Sequence, residues 1–210
     1  MKIDIWSDFV CPFCYIGKKV FETAVKKFDY ANSIKINYKS FQLDSRSKRD
    51  RGFDVVQDLA DNYKIGREQA QKMIEQAVTL AEAVGLVYDY KNMIPANTFD
   101  AHRLNYYAKE VQKDKEITER LLHAHFAEGL DIDDHSVLSQ IAKEAGLDKE
   151  KTLLMLQSDQ YSAEVEKDQK TAQELKIEVV PTYIFNDKYR ISGAQSLDDF
   201  LNMLNKAKNP

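Results

Sequence analysis

The only two cysteines of the chain, Cys11 and Cys14, stand two residues apart where one hydrophobic periodicity gives way to another. Before them, Ile3 and Ile5 alternate with polar neighbours and lead to Trp6, the period of a β-strand. After them, Val20, Phe21, Ala24, Val25 and Phe28 recur at the period of a helix. Pro12 suits the first helical position, so Cys11 is expected at the N-cap, its sulfur where a capping oxygen accepts the N–H groups of Phe13 and Cys14. The positive end of the helix dipole points at the same place and favours a thiolate. Cys14 lies one turn further in, and Cα atoms three apart on a helix are about 5 Å from each other, within reach of a disulfide. A thiolate so stabilised gains less as a nucleophile than as a leaving group when a mixed disulfide is resolved.

At 210 residues the chain holds one large domain, or a domain with a sizeable insertion. Apolar residues make up 43 % and charged residues 30 %, enough to bury a core. The net charge of −4 and the lack of a basic stripe interleaved with aromatics argue against nucleic-acid and anionic-membrane partners. No apolar run approaches membrane-spanning length, and Asp4 and Asp8 stand where a secretory leader needs an apolar stretch. A cytoplasmic protein is expected. In that compartment a lone Cys-x-x-Cys is redox or metal chemistry more often than a structural disulfide.

The pattern predicts strand over 2–7, helix over 12–29 and a second strand over 34–41, a tight βαβ unit with parallel strands. A polar connector from Asp44 to Gly52 follows. Helical stripes come next, from Phe53 to Tyr63, Ala70 to Val84, a helix capped by Asn97, Ile117 to Ala124 with His125, and Val137 to Ala145 from about Asp134. Asp148 caps a short helix with Leu153 and Leu154, and 160–176 reads as one more. Thr182–Phe185 and Tyr189–Ser192 flank a polar turn at Asn186 and Asp187, the pattern of a hairpin. Ser196 with Asp199 resembles a capping box ahead of a last amphipathic helix. The fold class expected is therefore α/β, a thioredoxin fold (βαβ…ββα) from residues 1–41 and 160–210, carrying a large all-helical insertion over 42–159.

Three stretches carry a family resemblance. Asp8-Phe9-Val10-Cys11-Pro12-Phe13-Cys14-Tyr15-Ile16-Gly17 closely resembles the active-site stretch of the DsbA-like thioredoxin family, in its cytoplasmic FrnE-like branch. Val179-Val180-Pro181-Thr182-Tyr183 with Ser192-Gly193-Ala194-Gln195 resembles a second signature of that branch, and Asn97-Thr98-Phe99-Asp100-Ala101-His102-Arg103-Leu104 a third. The resemblance implies a thiol–disulfide oxidoreductase in which Cys11 is the nucleophile and Cys14 resolves the mixed disulfide. It also implies that Pro181 follows a cis peptide beside the pair, with Val180 offering backbone groups to a bound chain. Pro12, Phe13, Val180, Asn97 and His102 are the substrate-binding candidates, with helix capping the rival role for Asn97 and polar packing for His102. The branch commonly has tryptophan where this chain has Phe13, and a glycine-containing approach to the proline where it has Ile177-Glu178-Val179. No metal or organic cofactor is implied beyond the Cys11–Cys14 pair. Partners are protein or small-molecule thiols and disulfides, with glutathione as a reductant or cosubstrate. A reducing cytosol favours reduction or isomerisation of partner disulfides over oxidation.

Rival readings stand beside this one. Half a zinc site needs further ligands, for which only His102, His123, His125 and His135 are available beyond carboxylates, and His123 and His125, two apart on a helix, do not face each other. Glutathione-dependent isomerases and kappa-type transferases share the fold but lack the second cysteine, so Cys14 argues against them. A binding protein that captures a peptide or a metal through its cysteines is the third. Asp8 is expected to be a solvated loop carboxylate, and Tyr88, Tyr90, Tyr106 and Tyr107 either line a cleft or pack. The redox reading requires that the Cys11 sulfur be reachable from solvent and close to the Pro181 loop.

Overall fold

The computed structural model describes residues 1–47 and 52–208, so residues 48–51 of the polar connector lie outside the described residues. Strand β1 (Lys2–Ser7) leads into helix α1 (Pro12–Lys27), which returns the chain to β2 (Lys35–Ser40). β1 and β2 pair in parallel from Lys2↔Lys35 to Ser7↔Ser40, as a short βαβ crossover requires. α1 ends two residues before the expected boundary because Phe28 leaves the helix in extended conformation and turns its ring into the sheet core.

Helices α2 (Val55–Tyr63), α3 (Arg67–Ala83), α4 (Phe99–Glu110), α5 (Asp114–Phe126), α6 (His135–Glu144) and α7 (Lys149–Leu156) follow, and then α8 (Ser162–Glu174). Aspartates open three of them. Asp54 accepts from the N–H groups of Val56 and Gln57, Asp134 from Ser136 and Val137, and Asp148 from Lys151. Asn97 stands one residue outside the expected cap. Thr98 occupies that position, and Asn97 Oδ1 instead accepts from the Phe99 N–H at 3.0 Å.

β3 (Thr182–Phe185) and β4 (Tyr189–Ser192) form the hairpin, with left-handed Asn186 and Asp187 in its turn. β3 inserts antiparallel beside β1, from Ile3↔Phe185 to Trp6↔Thr182, giving a mixed sheet of order β2-β1-β3-β4 among the described residues. Helix α9 (Leu197–Lys208) closes the described chain behind the Ser196–Asp199 capping pair.

Two cores meet on α1. Phe21 and Ala24 pack on the sheet with Ile3, Ile5, Phe185 and the α9 residues Phe200 and Leu204. Tyr15 and Ile16 face the other way, into a helical core with Leu104, Leu121 and Phe126. A helix buried on two sides has little freedom to shift, and its first turn carries the cysteines. The other face of the sheet is covered by α8. Asp168 receives the Trp6 indole N–H on its backbone carbonyl at 3.2 Å, and Lys39 and the Ser40 N–H on its carboxylate at 2.9 and 3.0 Å. No helix among the described residues is long and apolar enough to cross a membrane.

Candidate active site

Cys11 is the N-cap of α1 with extended backbone, as the proline at the next position dictates. Its thiol does not take the expected place over the helix N-terminus, and it makes no capping hydrogen bond. The Cys14 N–H is taken by the Cys11 carbonyl at 3.0 Å, while the Cys11 thiol donates to the Val180 carbonyl at 3.5 Å. In this orientation the sulfur faces an acceptor, not the N–H donors of the helix start.

That carbonyl belongs to the residue before Pro181, and the Val180–Pro181 peptide is cis. α1 approaches this loop closely at Gly17. A Cβ there would meet the Tyr183 hydroxyl at 2.8 Å and Pro181 Cγ at 3.1 Å, so any larger residue would push the helix and the proline apart. Both cysteines are free. They pack with Trp6, Ile177, Val180 and Ile184, and Cys11 keeps 5 % of its surface exposed and Cys14 2 %. The nucleophile expected to be reachable from solvent is therefore nearly covered. Phe13, two residues on, is 42 % exposed, and Val179 and Leu43 also show large apolar surface.

The two thiols differ in environment. Burial and then the adjacent Cys11 sulfur push the Cys14 thiol well above its ordinary range. Pulling the other way are the polarity of the Ser7 hydroxyl and the backbone N–H of Asp8, which donates to the sulfur at 3.5 Å. Asp8 itself departs from the solvated carboxylate expected of a loop. It is buried, its Oδ1 accepting from the Phe9 N–H at 2.8 Å and its Oδ2 from the Leu43 N–H at 2.7 Å.

His102 is buried behind this loop, Nε2 3.1 Å from the Phe41 carbonyl and 3.4 Å from Asp8 Oδ1. Two acceptors at one nitrogen make Nε2 the protonated one. Asn97 holds the same 41–45 segment from its other side, accepting from Gln42 Nε2 at 2.8 Å and donating to the Ser45 carbonyl at 2.9 Å. Asn97 and His102 thus converge on the loop that seats Asp8. Pro12 is held from the helical side by Tyr88, whose hydroxyl donates to the Pro12 carbonyl at 2.7 Å while its ring stacks on Phe126. The other tyrosines considered for a cleft point elsewhere. Tyr106 bonds Asp168, Tyr107 packs on Tyr161, and Tyr90 bonds Gln71. Among the described residues no three His, Cys, Asp or Glu side chains stand together as a metal-binding group.

A vicinal dithiol in the first turn of the helix after β1, facing a proline loop that precedes an antiparallel β3, defines a thioredoxin-fold thiol oxidoreductase. The DsbA-like thioredoxin domain matches residues 2–205, and the chain belongs to that family. It is 32 % identical over 202 residues to the protein YwbO of Bacillus subtilis (strain 168), covering 95 % of this chain and 94 % of that one. The crystal structure of the probable DsbA oxidoreductase SCO1869 from Streptomyces coelicolor superposes with a TM-score of 0.93 at 32 % identity, over 99 % of this chain and 90 % of that one. The cytosolic disulfide reductase DsbM from Pseudomonas aeruginosa, solved with GSH, shares the fold at a TM-score of 0.70 and 14 % identity, over the full length of both.

Proposed function

We propose that this protein exchanges disulfides through Cys11 and Cys14, as a cytoplasmic reductase or isomerase of partner disulfides. The Cys11 thiolate attacks a partner disulfide and expels one partner thiol. Cys14 then attacks Cys11 in the mixed disulfide, closes the Cys11–Cys14 bond and frees the second. A thiol reductant, glutathione in this reading, returns the pair to the dithiol. The observation that carries the proposal is the placement of the Cys11 thiol against the Val180 carbonyl beside Pro181, with Cys14 one turn behind it.

On this reading Val180 and Pro181 align the partner chain, and Pro12 and the exposed Phe13 ring form the rim it meets. Asn97 and His102 serve the substrate through the 41–45 loop. Residues 1–41 and 160–210 make the catalytic thioredoxin half, and 42–159 the helical insertion that covers it. A cytosolic reductase with GSH among the fold neighbours is in keeping with the compartment and the reductant.

The test is reduction of insulin by dithiothreitol with wild type and Cys11→Ser. The variant is expected to fall to the uncatalysed rate, and a Cys11→Ser protein as active as wild type would overturn the proposal. The rival glutathione-dependent isomerase would show as turnover that survives Cys14→Ser.

A further inference from the structure

Asp8 is 1 % exposed three residues before the nucleophile, and donors meet its carboxylate on every side. Oδ1 accepts from the Phe9 N–H at 2.8 Å and faces His102 Nε2 at 3.4 Å, and Oδ2 accepts from the Leu43 N–H at 2.7 Å. The same His102 nitrogen reaches the Phe41 carbonyl at 3.1 Å, and the Phe41 N–H donates to the Ser7 carbonyl at 3.2 Å. Two hydrogen-bonded rings therefore share Asp8. One runs through Leu43, Gln42, Phe41 and His102, the other through Leu43, Gln42, Phe41 and Ser7. Residues 41–45 are neither strand nor helix, and side chains hold them instead. Asn97 accepts from Gln42 at 2.8 Å and donates to the Ser45 carbonyl at 2.9 Å, while Gln169 of α8 donates to Gln42 Oε1 at 3.2 Å. Phe41 packs against the cluster that contains Trp6, Cys11 and Cys14. The rings end on the nucleophile itself, because the Asp8 carbonyl accepts the Cys11 N–H at 3.3 Å.

We propose that Asp8 is a positioning residue, supported by His102, that locks the 41–45 strap to the Cys11 loop and so aims the Cys11 sulfur at a disulfide borne by a chain docked on Val180. The assignment rests on Cys11 being the nucleophile and on Val180 receiving the partner chain. In the step it serves, the Cys11 thiolate attacks one partner sulfur and a bond forms between them. The partner S–S bond breaks, and the departing sulfur keeps the electron pair and takes a proton from water. Asp8 touches no reacting atom and exchanges no proton. Its effect falls on alignment, which matters most for a partner held at two points. A chain docked on Val180 has no freedom to follow a displaced sulfur, and a shift of about 1 Å is enough to cost on the order of a hundredfold in rate. A small free disulfide approaches from whatever angle the sulfur presents and is spared that loss.

Asp8→Asn keeps the shape of the side chain but turns an NH₂ group toward a donor, since all three neighbours are donors. The reduced full-length protein is mixed in single turnover with insulin, whose disulfides are carried on peptide chains, and separately with dithiobis(nitrobenzoate), which has no main chain to dock. Asp8→Asn is expected to slow the insulin reaction about ten- to hundredfold and to leave the first release of thionitrobenzoate within about threefold. His102→Gln retains a side-chain N–H for the Phe41 carbonyl and His102→Leu has none. On insulin, Gln therefore stays within about threefold of wild type and Leu follows Asp8→Asn. The His102 pair decides the matter by itself should Asp8→Asn fail to fold. An insulin rate unchanged in Asp8→Asn, both probes slowing together, or Gln and Leu behaving alike would each overturn the positioning role. Wild type that reacts with neither probe would instead overturn thiol exchange itself.

Discussion

Replacing Glu119 with glutamine tests whether charge ties the active-site helix to the helical core. Glu119, on α5, accepts from the Tyr15 hydroxyl at 2.8 Å and from Lys19 at 2.5 Å, and pairs with Lys18, whose ammonium lies in an α1 side chain only 5 % exposed. Burial pushes the Glu119 carboxyl up, but hydrogen bonds from Lys18 and Lys19 outweigh it and hold it at about 2 instead of 4.5. A depression of that size is worth about 3 kcal/mol unscreened. The side chain is 36 % exposed, and solvent screening brings the figure to about 1–2 kcal/mol. Because the folded carboxyl ionises at lower pH than the unfolded one, its contribution is complete above pH 4.5 and is lost as the pH falls towards about 2. Glu119→Gln is expected to lower Tm by about 2–8 °C at pH 7 for a chain of this size. Thermal melts of both proteins at pH 7 and pH 3 should show the gap shrinking by more than half. A gap of equal size at both pH values would mean that shape and not charge is at stake. No gap at pH 7 would refute the reasoning outright.

Three further perturbations follow from buried polar groups. Burial holds the His125 imidazole down at about 4, against a smaller upward pull from Asp8, and its Nδ1 has no hydrogen-bond partner. The unfolded chain therefore binds the proton first, and wild type loses about 2–3 kcal/mol of stability to this group between pH 6.5 and 4. His125→Leu removes that slope, which urea titrations at pH 7 and 4.5 will read as a smaller acid loss than in wild type. Arg103 is buried and bonds the carbonyls of Met155, Leu156, Ser158 and Gln160 together with the Asp100 carboxylate. A lysine lacks the fork to serve them, so Arg103→Lys should cost about 3 kcal/mol and raise hydrogen exchange over 156–162 before the rest of the chain. Tyr88→Phe leaves the Pro12 carbonyl without its donor and should lower stability by about 1 kcal/mol with an unchanged urea m-value.

The elements were legible because their cues are local. Alternation marked β1, β2 and the hairpin strands, and aspartates at 134 and 148 marked helix starts by chemistry confined to one turn. The site was legible down to which residues but not to how they are used. Helix-start rules place Cys11 at the cap, yet the direction of its thiol is set by a carbonyl 169 residues away. Asp8 reads as solvated because nothing nearby in sequence announces the Leu43 N–H that buries it. Tyr88 lies in a short run without a period, where core and cleft look alike. The cap one residue beyond Asn97 is a local miss of another kind, since asparagine and threonine compete for the same position.

The pairing of β1 with β3 joins Ile3 to Phe185, nearly the two ends of the chain. Val180, whose carbonyl receives the Cys11 thiol, is made almost as late. A ribosome adding about 5–20 residues per second needs roughly 10–30 s to travel from the cysteines to that strand. Throughout that interval the growing polypeptide carries two unsheltered thiols with no third strand to close over them. Newly made copies therefore pass through a window in which both thiols are open to any oxidant or disulfide around them.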